Sequence, residues 1–104
     1  MDKKCVLVGV DNIPDALFMM DNLVRSLTNN NIKVVHRYFK NNKPEIETEN
    51  IRIIYCPNNC RLEGVWADEI FGNYPLRWLD RKRDAYKAPY TGGLLDYVKE
   101  IENE

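Results

Sequence analysis

Cys5-Val6-Leu7-Val8-Gly9-Val10 is an unbroken apolar run that stops abruptly at Asp11-Asn12-Ile13-Pro14-Asp15. A run without alternation suits a strand covered on both faces, as in the parallel sheet of an α/β layer. The residues that follow carry helix-start signals. Asn12 can cap, Pro14 falls where the first turn tolerates a missing N–H, and Asp15 complements the helix dipole. Ala16, Met20, Leu23, Val24 and Leu27 recur at helical spacing, with Leu17 widening the stripe. Asn29-Asn30-Asn31 ends the helix, because asparagine accepts the left-handed conformation found at helix C-termini. Ile32–Phe39 reads as a second strand, so the chain is expected to begin with a βαβ unit.

Beyond the turn at Asn41-Asn42-Lys43-Pro44, two readings compete for Glu45–Glu49. One is a hairpin with an exposed acidic edge, the other a loop leading into a buried parallel strand. The preferred expectation is a third strand, Ile51–Cys56, starting near Asn50, with the acidic stretch as a solvated edge extension. Val65–Phe71 forms a short strand or a helical turn. A Pro-started helix is expected over about Pro75–Tyr86, and Thr91 caps a last helix with Leu94, Leu95, Val98 and Ile101 on one face. At 104 residues, with no long linker or repeat, residues 1–104 read as one domain. The expected fold is α/β: a small, mostly parallel sheet of three to four strands with flanking helices.

Fifteen Lys+Arg against sixteen Asp+Glu give a net charge of −1. Nucleic-acid binding would therefore need a local basic patch rather than whole-molecule basicity. No apolar run reaches the ~18–20 residues of a membrane span, and three cysteines at irregular spacing do not make a secreted disulfide framework. The expected location is the cytoplasm.

Arg61-Leu62-Glu63-Gly64-Val65-Trp66-Ala67-Asp68-Glu69-Ile70-Phe71-Gly72 is the most distinctive segment. It resembles the Leu-Arg-Gly-x-Arg-Ala-Asp stretch that precedes the Walker B strand in phage terminase-like and helicase-like P-loop NTPases. The resemblance implies that Cys5–Val10 is the strand before the phosphate loop and Ile13–Thr28 the helix after it. The connection Gly9–Asp15 has one glycine and no lysine, whereas a phosphate loop needs several glycines and a lysine. Phe71-Gly72-Asn73 stands where a Walker B carboxylate belongs. The resemblance thus implies the architecture of a degenerate NTPase-like domain of phage or mobile-element type, in a bacterial host cell if phage-encoded.

Four constellations are candidates for chemistry or binding. Asp11 and Asn12, at the carboxyl end of the first strand, could join Asp68 and Glu69 in a magnesium or nucleotide site. Against this, Asp11-Asn12 also suits a helix cap and Asp68-Glu69 a solvated pair. Cys56 and Cys60, with Cys5 and His36, contain acceptable zinc ligands but only one compact pair, so no zinc site is assigned. His36 is the only histidine and Ser26 the only serine, the latter within a helix, so no catalytic triad is expected.

The fourth candidate runs from Tyr74 to Tyr90. Arg77, Arg81, Lys82, Arg83 and Lys87 outweigh Asp80 and Asp84 by three charges, and Tyr74, Trp78, Tyr86 and Tyr90 lie among them. Tyr, Trp and Arg dominate protein-binding hot spots, and basic residues with aromatics also suit single-stranded nucleic acid. A protein partner is the preferred expectation, since three net charges supply few phosphate contacts. The functional expectation is a non-catalytic binding protein that engages a macromolecular partner, for example as an inhibitor of a host protein or defence system. The alternatives are an NTPase-like domain with an acidic site at Asp11, Asp68 and Glu69, and a weak nucleic-acid module at Arg77–Lys87.

Overall fold

A computed structural model of the chain describes residues 3–40, 43–57, 67–72 and 93–103. The elements run β1 (Lys4–Val10), α1 (Ile13–Asn29), β2 (His36–Lys40), β3 (Lys43–Glu47), β4 (Ile51–Pro57), β5 (Glu69–Gly72) and α2 (Leu94–Glu102). The strands form one sheet in the order β2-β3-β4-β1-β5. Strand β1 pairs in parallel with β4 and with β5, whereas β3 pairs antiparallel with both β2 and β4. The fold is α/β, as expected. The sheet is mixed and five-stranded, not mostly parallel with three to four strands, and β3 and β4 lie between β1 and β2.

Helix α1 forms by the anticipated local signals. The Asn12 Oδ1 accepts the Asp15 N–H at 2.8 Å, and Pro14 sits in the first turn. At the other end Asn31 has φ 59°. Its N–H donates to the Thr28 carbonyl at 3.1 Å, and the Ile32 N–H to the Leu27 carbonyl at 2.9 Å. These two bonds make a Schellman closure, with Ile32 and Leu27 both buried in the core beside it. Ile32 is thereby committed to ending the helix; the Val35 N–H already donates to the Glu47 carbonyl at 2.7 Å, and β2 begins at His36. Leu17 does not widen the buried stripe; it is exposed, together with Phe18 and Met19.

The sheet buries apolar side chains on both faces. On one, Val6, Val8 and Val10 of β1 and Ile51, Ile53 and Tyr55 of β4 pack with Ala16, Met20, Leu23 and Leu27 of α1 and Tyr97 and Val98 of α2. On the other, Leu7, Ile54, Cys56 and Ala67 cluster. Double-sided burial explains why β1 and β4 lack alternation. The expected apolar face of the last helix holds, since Leu94, Leu95 and Ile101 pack against the first cluster. The expected Thr91 cap and the Pro75–Tyr86 helix lie outside the described residues.

The acidic stretch is not a solvated edge. Lys43–Glu47 is an interior strand, with Glu45 3% exposed. Pro44 is tolerated there because of parity. It faces Phe39 across the β2 pairing, and the β4 ladder ends at Glu45↔Ile54, so no partner requires the absent N–H. The β3–β4 turn is closed from a distance. Glu102 Oε1, in the last turn of α2, accepts the buried Thr48 hydroxyl at 2.8 Å and the Asn50 N–H at 2.9 Å. The Asn50 side-chain amide donates to Glu102 Oε2 at 3.3 Å.

Candidate functional site

Side chains alternate along a strand, so Glu45 and Glu47 of β3 point away from the helices, on the face that also takes Tyr38 of β2 and Arg52 of β4. Each carboxylate has its own countercharge. Arg52 Nε and Nη2 donate to Glu45 Oε2 and Oε1 at 3.1 and 3.0 Å, a two-pronged contact across neighbouring strands. Lys3 Nζ donates to Glu47 Oε2 at 2.8 Å, and the Tyr38 hydroxyl to Glu47 Oε1 at 2.5 Å. The His36 and Tyr38 rings stack with centroids 6.0 Å apart. Tyr38, Phe39, Glu45, Glu47 and Arg52 border an open depression of about 570 Å³.

The hydrogen bond from Lys3, then that from Tyr38, holds the Glu47 carboxyl below its ordinary value. The same Glu47 contact pushes the Tyr38 phenol up to about 12. Glu45 likewise raises the Arg52 guanidinium. These paired contacts fasten strands β2, β3 and β4 to one another and to Lys3.

A pH dependence follows from both shifts. The depressed Glu47 carboxyl contributes stability that is present above its ordinary 4.5 and is lost as pH falls through the lower folded value. The raised Tyr38 phenol contributes stability that is complete below its ordinary 10.0 and is lost as pH rises through about 12. Melting temperature against pH should therefore fall at both extremes. In Lys3→Met the acid arm should flatten, and in Tyr38→Phe the alkaline arm; unchanged arms would refute these assignments.

The residues singled out in the sequence do not converge on this cluster. Asp11 and Asn12 are exposed at the carboxyl end of β1. Asp68 lies at the opposite end, beside Cys5. Its N–H donates to the Cys5 carbonyl and its Oδ2 accepts the Cys5 N–H, both at 2.8 Å. The register Val6↔Glu69 places Asp68 about six residues from Asp11 along parallel strands, on the order of 20 Å. The register thus separates the two acidic pairs rather than joining them in one site. Among the described residues, no group of three or more His, Cys, Asp or Glu is placed to hold a metal ion.

Cys56 is buried beside Leu7 and Ile54, Cys5 is half-buried on the same face, and His36 is exposed on β2, three strand positions from β1. These three potential ligands are not brought together, and Cys60 lies outside the described residues. So do Tyr74, Arg77, Trp78, Arg81, Lys82, Arg83, Tyr86, Lys87 and Tyr90, and the part of the Arg61–Gly72 segment before Ala67. The cluster of Lys3, Tyr38, Glu45, Glu47 and Arg52 was missed by sequence reasoning. Its one signal is the two-residue alternation of Glu45 and Glu47 about Ile46, matched by Arg52 between Ile51 and Ile53.

No family model, curated protein or solved structure matches the chain. Among the described residues, no helix is long and apolar enough to cross a membrane.

Proposed function

We propose that this chain is a small non-catalytic binding protein of phage or mobile-element type that engages a macromolecular partner, for example to inhibit a host protein. The observation that carries this reading is the split between polar and apolar groups on the described surface. The carboxylates Glu45 and Glu47 are neutralised within the fold. Large apolar side chains face solvent instead: Phe18 is 68% exposed and Phe39 52%. Exposed aromatic groups of this kind are what partner surfaces are made from. The basic, aromatic segment Tyr74–Tyr90 supplies the sequence side of the same reading, and the Arg61–Gly72 resemblance supplies the proposed origin.

The test is affinity capture from host lysate with the intact chain and with the combined Arg77→Ala, Trp78→Ala, Arg81→Ala variant. A protein retained in fixed ratio by the first and lost by the second is the expected result. No retained protein, or equal retention by both, would sink the proposal. Thermal shift with magnesium and a nucleotide panel gives the rival outcome: a raised melting temperature would favour an NTPase-like ligand site over partner binding.

A further inference from the structure

Among the described strands, β2 ends the sheet on one side, and every residue from Val35 to Phe39 is exposed. Which backbone groups it offers to solvent follows from Pro44. Lacking an N–H, Pro44 fits a non-hydrogen-bonded pair with Phe39. The pairs Lys40↔Lys43, Tyr38↔Glu45 and His36↔Glu47 then carry the ladder. Arg37 and Phe39, being of opposite parity, direct their N–H and C=O groups outward. These form a row of two donors and two acceptors at the spacing that an added strand needs.

The side chains around that row favour one kind of guest. Residues 33–43 contain Lys33, Arg37, Lys40 and Lys43 with His36, and no acid at all. Arg37 is offset by an ion pair with Asp21 of α1, so the selecting charge comes from the lysines of this segment. Leu17 and Phe18 stand one turn before Asp21, level with Phe39 because α1 runs back antiparallel to β2. Exposed apolar groups therefore flank the row on the helix side, and Tyr38 flanks it on the other.

We infer that the open edge of β2 docks an extended, acidic segment of a partner protein by strand addition, with backbone bonds to Arg37 and Phe39. The inference rests on the reading of the chain as a binding protein, and supplies a surface built from none of the residues Tyr74–Tyr90 and a partner chemistry of its own. A peptide matches both donors and acceptors of the row. A DNA backbone offers acceptors alone and leaves the Arg37 and Phe39 carbonyls unmatched. A second copy of this chain would bring together two copies of the acid-free, lysine-bearing segment 33–43.

The test uses the full chain, isotope-labelled, with three probes: an acidic peptide alternating Glu with Val and Phe, its Lys-substituted counterpart, and oligo-dT. The acidic peptide should perturb the Arg37 and Phe39 amide signals and slow their hydrogen exchange at least tenfold. Binding should weaken as salt is raised, and the Lys peptide should bind at least tenfold more weakly. Phe39→Pro removes an outward N–H at an edge position where proline is tolerated, and should abolish binding. Phe39→Ala keeps the N–H and should weaken binding only severalfold. Arg77→Ala, Trp78→Ala, Arg81→Ala should leave peptide binding unchanged, which separates failure here from failure of the lysate capture.

Any of four results overturns the inference. One is unperturbed Arg37 and Phe39 signals in the wild-type chain, and a second is equal binding of both peptides. A third is tighter binding of oligo-dT, and the fourth is a dimer whose Arg37 and Phe39 amides are already protected without peptide.

Discussion

Replacing Arg52 by alanine should destabilise the chain by about 2–4 kcal/mol, because it strands the Glu45 carboxylate in the sheet without a countercharge. The Glu45 side chain is only 4% exposed and Arg52 supplies both of its hydrogen bonds, whereas the Arg52 side chain is 43% exposed. The asymmetry sets the direction. Most of the burial cost falls on the acid, so removing the base leaves that cost unopposed. Replacing both residues with valine removes charge and countercharge together, and should come within about 1 kcal/mol of the parent. Chemical denaturation of Glu45→Val, Arg52→Val and the double valine variant against the parent closes a double-mutant cycle. A loss below 1 kcal/mol for Arg52→Ala would mean that Glu45 finds water or another donor, and the account of β3 as an interior strand held by this pair would fail.

Ile53→Ala should have an effect of similar size, about 3–4 kcal/mol, for an apolar reason. Ile53 is completely buried. It lies on β4 between Val6 of β1 and Ile46 of β3, under the helices. Neighbours on both flanking strands and above cannot all collapse into the space left, so the cavity adds to the lost transfer energy. For a domain of this size such a loss lowers the melting temperature by roughly 12–30 °C. The control is Phe18→Ala, whose side chain is 68% exposed and whose loss should stay within about 0.5 kcal/mol. Comparable losses in both variants would contradict the assignment of the core.

The parts of the fold that are legible in the sequence are those whose causes are local. Asn12, Pro14 and Asp15 start α1, Asn31 ends it, and the unbroken run of β1 and the Ile53–Cys56 run of β4 report burial on both faces. The strand β3 is not legible in this way. Glu45 and Glu47 read as solvent-facing acids, and become interior residues only because Arg52, Lys3 and Tyr38 arrive from other elements. Ile32 looked like strand by composition, yet its N–H closes the preceding helix. Leu17 looked like stripe, yet it falls outside the arc that the sheet covers. The candidate site follows the same rule. Its members lie on β2, β3 and β4 and before β1, and only the pairing register brings them together. The set of Asp11, Asn12, Asp68 and Glu69 shows the converse, since a parallel register sends its two halves to opposite ends of the sheet.

The contact between Glu102 and the β3–β4 turn also sets a timetable. Thr48 and Glu102 are 54 residues apart in the chain. At about 5–20 residues per second, synthesis separates their emergence by roughly 3–11 s. During that interval the turn's hydroxyl and amide have no carboxylate to bind. Strand β1 precedes both of its neighbours in the chain, and waits for β4 on one side and for β5 on the other. The edge strand β2 is therefore made before the interior strands β3 and β4 that join it to β1, and the β3–β4 turn is latched later still, by Glu102.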